Sequence, residues 1–154
     1  MQSHKNFTRN KYHQGFTLLE VLIIVVLIGI FSTLGLFITI DFYKSYSFKA
    51  ELNTVVSLLH KARADSLNNN NQTNHGLHID SIQKKYILYE GDRYDTVGKN
   101  NQEYGMGVDI KVQGSLDINF VQLSGEVLNA GAVIFSDGKR SRTITINVLG
   151  QINW

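Results

Sequence analysis

The chain has 154 residues, with fifteen Lys or Arg, thirteen Asp or Glu, and neither cysteine nor proline. Without cysteine there is no disulfide framework, thiolate metal site or thiol nucleophile, and without proline the strongest helix stop is missing. Lys5, Arg9 and Lys11 all precede Gly15, so beyond that point twelve basic residues face thirteen acidic ones, a balance that argues against broad electrostatic capture of nucleic acid.

The first organised segment is Gly15-Phe16-Thr17-Leu18-Leu19-Glu20, followed by twenty uncharged residues from Val21 to Ile40. A helix of that length rises roughly 30 Å, the thickness of a hydrocarbon core, and is too long for the apolar core of a cleaved secretory signal. Glu20 is the one formal charge between Lys11 and Asp41. Left unpaired in lipid it costs on the order of 2–3 kcal/mol, so it demands a partner. Three basic residues precede the span, and Lys44 and Lys49 follow it, which leaves little positive-inside bias.

Beyond Ile40 the helical pattern continues and becomes amphipathic. Phe48, Leu52, Val55, Leu59, Ala62 and Ser66 recur at helical spacing, a core face, with Lys49, Glu51, Asn53, Lys61 and Asp65 on the other sides. Asn68-Asn69-Asn70-Asn71 competes for backbone hydrogen bonds and should stop the helix, which from Phe16 to Leu67 would measure roughly 80 Å.

The remainder reads as strands over Gly76–Asp80, Lys84–Glu90, Gly107–Gln113, Ser115–Val121, Ala132–Ser136, Arg142–Leu149 and Gln151–Trp154. Turns are expected at Gly91-Asp92, Gln113-Gly114, Ser124-Gly125, Asp137-Gly138 and Leu149-Gly150, and a long loop from Asp92 to Met106. The fold class is therefore α+β: a long N-terminal helix packed on an antiparallel β-sheet domain.

No nucleophile stands with a base and an orienting group at recognisable spacing, so the chain does not read as an enzyme, and no cofactor is implied. His75 and His78, with Asp80, fall at i, i+3 on a strand, where the two rings face opposite sides and bind no common metal. Asp92, Asp95, Asn100 and Asn101 lack EF-hand spacing and read as turns rather than a calcium site. Lys139, Arg140 and Arg142 gather at the Asp137-Gly138 hairpin, where basic residues discourage edge pairing or contact phosphate.

From Gly15 to about Ile40 the chain resembles the type IV pilin and type II secretion pseudopilin superfamily, with the glycine, aromatic, hydroxyl, two aliphatics and glutamate in register. The resemblance implies a cleaved basic leader, residues 1–15, cut by a prepilin peptidase between Gly15 and Phe16. It also implies N-methylation of the new Phe16 amine, and assembly through Glu20 of one subunit meeting Phe16 of the next. Many major pilins carry a proline in the outer half of this helix; here the region reads Phe31-Ser32-Thr33-Leu34-Gly35-Leu36-Phe37, with Gly29 before it.

Phe135-Ser136-Asp137-Gly138, Thr143-Ile144-Thr145-Ile146, Gly150-Gln151-Ile152 and the helix end Lys61-Ala62-Arg63-Ala64-Asp65-Ser66 look like the GspH/FimT-type minor pseudopilins. The implied organisation is leader 1–15, transmembrane and filament-core helix 16–40, amphipathic helix 41–67 and globular pilin domain 68–154. The implied location is the inner membrane with the C-terminal domain outside the cytoplasm, then a filament. The implied partners are other pilins, the peptidase and methyltransferase, and a membrane assembly platform. Alternatives are a DNA-uptake or adhesive minor pilin, with nucleic acid met by Lys139, Arg140 and Arg142, or a permanently anchored receptor.

Overall fold

The computed structural model describes residues 15–98, 100–107 and 109–154, with the backbone alone over 34–39. Among these residues lie one long helix, α1 (Leu18–Leu67), and eight strands, and the chain divides into two units after Tyr43.

In the first unit Thr17 opens α1. Its hydroxyl accepts the Glu20 amide at 3.3 Å and its carbonyl accepts the Val21 amide at 3.2 Å. An N-cap threonine with glutamate three residues on is the capping-box pattern, and an acid in the first turn suits the helix dipole. Ser32 and Thr33 bond back to the carbonyls of Ile28 and Ile30 at 2.7 and 2.8 Å, so the hydroxyl pair stays within the helix and does not interrupt it.

The second unit, Lys44–Trp154, contains the rest of α1 and both sheets. Phe48, Leu52, Val55, Leu59, Ala62 and Ser66 are all buried, and Val56 and Leu58 widen the same face. Full burial of such aliphatic side chains stabilises by about 1.5–3 kcal/mol each. The asparagine run ends α1: Asn69, just before a short 3-10 turn at Asn70–Gln72, and Asn71 within that turn take the left-handed region (φ 56° and 53°).

The strands are β1 (His75–Asp80), β2 (Lys85–Glu90), β3 (Gln102–Gly105), β4 (Lys111–Gly114), β5 (Asp117–Phe120), β6 (Gly131–Ser136), β7 (Ser141–Ile146) and β8 (Ile152–Asn153). They form two four-stranded antiparallel sheets, ordered β3-β2-β1-β5 and β4-β6-β7-β8. Leu77, Tyr86, Ile118 and Phe120 from the first sheet join Val133, Phe135, Ile144 and Ile146 from the second, together with the α1 stripe, in one core.

Three expectations are corrected. The Asp92–Met106 loop contains strand β3, an edge strand of polar residues that sequence alternation does not reveal; pairing with β2 and the Lys85–Glu103 ion pair at 2.6 Å hold it. Gly107–Gln113 is not one strand. The Gly107 amide is taken by Glu51 at 3.0 Å, Ile110 closes a turn back to Gly107, and only Lys111–Gly114 joins a sheet. Arg142–Leu149 likewise shortens to Ser141–Ile146, because Asn147–Gly150 forms a turn closed by the Gly150 amide on Asn147 at 2.9 Å.

The glycines of the five expected turns, Gly91, Gly114, Gly125, Gly138 and Gly150, all take positive φ. At Gly150 (φ 70°) the requirement is also steric, since a Cβ would lie 2.0 Å from the Gly125 carbonyl oxygen.

Candidate functional site

The Gly15–Phe16 peptide bond lies outside the helix. Residues 15–17 have no regular structure, nothing stands within 4 Å of a Cβ placed on Gly15, and the Phe16 side chain is 77% exposed. A protease needs an extended, accessible substrate backbone, and the Thr17 cap fixes where that accessibility ends. Sequence reading passed over Thr17 as an N-cap, although the Thr-x-x-Glu spacing was legible.

Past the cap, every large apolar side chain from Leu18 to Phe31 is exposed, between 43 and 83%. A helix apolar on all sides is stable only when something apolar surrounds it, and covering these side chains is worth on the order of 20 kcal/mol. Among the described residues no helix is long and apolar enough to cross a membrane. The side chains of 34–39, inside the expected span 16–40, lie outside those residues. So does the expected leader apart from Gly15.

The end of α1 carries a second constellation. Ser66 Oγ donates to the Phe120 carbonyl and accepts the His75 amide, both at 2.9 Å, and the Ser66 carbonyl accepts the Leu123 amide at 2.9 Å. Arg63 reaches the Leu149 and Gly125 carbonyls at 3.2 and 3.4 Å. The Ala-Arg-Ala-rich helix end is thus a clamp for the loops after β5 and β7, a role that local sequence does not announce.

At the β6–β7 hairpin, Asp137 accepts the amides of Lys139 and Arg140 at 2.9 and 2.6 Å and pairs with the Arg140 guanidinium at 3.0 Å. Burial works to raise the Asp137 carboxyl, but these hydrogen bonds and the guanidinium outweigh it and hold the carboxyl below its usual range. Arg140 therefore already has a counterion. Arg142 lies on β7, and with Arg140 and Lys49 it lines a groove against α1; Lys139 is not part of that lining.

The residues weighed for metals have other partners. His75 is buried with its Nε2 2.9 Å from the Asn70 carbonyl, while His78 stacks on Tyr94 at 3.9 Å between ring centroids. Asp92 accepts from Asn74, Asp95 caps Val97, Asn101 donates to the Asp95 carbonyl, and Asn100 donates to Glu90. Among the described residues no group of three or more His, Asp or Glu is arranged to hold a metal ion.

Residues 10–36 match the family model described as the prokaryotic N-terminal methylation motif. No curated protein matches the sequence. The fold is similar to the solved structure of the minor pseudopilin EpsH from the type 2 secretion system of Vibrio cholerae, with a TM-score of 0.52 and 13% sequence identity over 68% of this chain and 93% of that one. In its N-terminal motif the chain is similar to pilins and pseudopilins, and in its α+β fold to a GspH-like minor pseudopilin.

Proposed function

We propose that the chain is a prepilin-type subunit, a minor pseudopilin, which is processed at the cytoplasmic membrane, stored there and drawn into the filament of a type II secretion or related machine. The observation that carries this reading is the order of parts at the N-terminus. An accessible Gly15–Phe16 bond is followed by a capped helix whose apolar side chains are exposed all round and which bears one carboxylate, Glu20.

A membrane receives such a helix first, since Val21–Ile40 carries no charge, and a bundle of like helices receives it later. Cleavage creates a cationic amine on Phe16, to be N-methylated. Four residues separate it from Glu20, about 6 Å of rise, so a neighbouring subunit staggered by that distance brings amine and carboxylate together. Each charge then neutralises the other inside an apolar filament core, and the pairing fixes the register. The partners on this reading are other pilins, a prepilin peptidase with methyltransferase activity and an assembly platform in the inner membrane, the C-terminal domain lying outside the cytoplasm.

Intact mass after co-expression with and without a prepilin peptidase tests the reading. The expected result is loss of residues 1–15 and gain of a methyl group only when the peptidase is present. A full-length chain in both cases replaces this reading with a permanently anchored protein.

A further inference from the structure

We propose that a groove beside the open edge of β7 takes an extended acidic segment of a partner protein as an added strand. The groove, about 360 Å³, runs between Ser45, Phe48, Lys49 and Leu52 of α1 and Arg140, Ser141 and Arg142 at the start of β7. This inference concerns the second unit alone and does not depend on N-terminal processing.

The edge is open for a topological reason. β7 pairs with β6 along Ser141–Ile146, but β8 meets β7 only at Thr145 and Ile146. The Asp137 amide bonds to the Arg140 carbonyl and the Asn147 amide to the Gln151 carbonyl. Antiparallel ladders alternate, so Arg142, Ile144 and Ile146 bond to β6 while Ser141, Thr143 and Thr145 turn their N–H and C=O groups the other way. Thr145 is met by Asn153 of β8; at Ser141 and Thr143 no strand of the described residues takes up those groups.

Chemistry selects the occupant. Arg142 shares a strand face with the buried Ile144 and Ile146, so it looks onto the side where α1 packs, and Lys49 stands across the groove from it. Arg140 adds a third cation, already paired with Asp137, and none of the described residues that line the groove is an acid. An edge lined mainly by cations repels basic strands and admits acidic ones. Phe48 and Leu52, mostly buried in the core, form the apolar floor on the helix side. An added strand thus finds main-chain partners at Ser141 and Thr143, places one inward apolar side chain over Phe48 and Leu52, and sets a flanking carboxylate between Lys49 and Arg142.

The test uses the full chain in detergent micelles and a short fluorescent peptide alternating Glu with Val, read by anisotropy. The proposal expects binding that weakens about tenfold in Lys49→Glu/Arg142→Glu and is unchanged in Lys61→Glu, a charge reversal elsewhere on α1. It also expects binding to vanish when Lys replaces Glu in the peptide, or when alternate peptide amides are N-methylated. Affinity indifferent to N-methylation overturns strand addition. Preferential binding of duplex DNA, lost in the same double variant, overturns the acidic-protein occupant, as does a dimer of this chain that the double variant dissociates without any peptide binding.

Discussion

Ser66 holds together three pieces of chain far apart in sequence. Its hydroxyl and carbonyl satisfy Phe120, His75 and Leu123, and the side chain is fully buried. Ser66→Ala leaves the Phe120 carbonyl and the His75 amide buried without partners, at about 1–3 kcal/mol. Urea unfolding of the full chain in mild detergent, followed by tryptophan fluorescence, should show a lower midpoint and an unfolding free energy reduced by that amount. A midpoint equal to wild type would mean that water replaces the hydroxyl. Periodicity put Ser66 on the core face, but its partners lie 9 and 54 residues away and no local pattern names them. Glu51 makes the same point in reverse. Sequence set it on a polar side of α1, whereas it is half-buried, accepting the Tyr86 hydroxyl at 2.8 Å and the Gly107 amide at 3.0 Å.

Among the elements, α1 was the most legible because its apolar spacing is sustained and the asparagine run that ends it acts locally. The turns were legible because positive φ demands glycine. β3 was not, since Gln102, Glu103 and Tyr104 carry no alternation and are strand only because β2 offers them an edge. In the N-terminal site the motif was legible residue by residue, while the cap at Thr17 and the exposure of the Gly15–Phe16 bond needed three-dimensional structure. The first turn of α1 also carries a prediction of assembly. On the proposed reading, Glu20→Ala keeps the Gly15–Phe16 bond and the Thr17 cap, so it should still be cleaved, yet it would leave the Phe16 amine unpaired in the bundle, at about 3–5 kcal/mol. The expected outcome is a mature-length chain absent from sheared filaments; incorporation at the wild-type level would remove Glu20 from assembly.

For the folded head as a whole, alkaline pH is the revealing variable. Burial, reinforced by hydrogen bonds to Glu51 and Asp117, pushes the Tyr86 and Tyr89 hydroxyls well above the usual phenol range. The sign follows from linkage. An unfolded chain releases these protons at about pH 10 and the folded one retains them, so stability is fully present below that value and falls as pH rises through it. Phenolate absorbance should show Tyr86 and Tyr89 silent while exposed tyrosines ionise, then appearing together with loss of fold. Ionisation of all tyrosines in one early step would contradict this burial. The clamp formed by Arg63 and Ser66 has a mechanical corollary. Asn68–Asn74 is the covalent tether between the helix and β1, and a pull on the β-sheets relative to α1 would otherwise load that tether by itself. With Phe120, Gly125 and Leu149 anchored to the helix end, tension is shared by several bonds strained in parallel, so the sheets part from the helix only when all of them yield together.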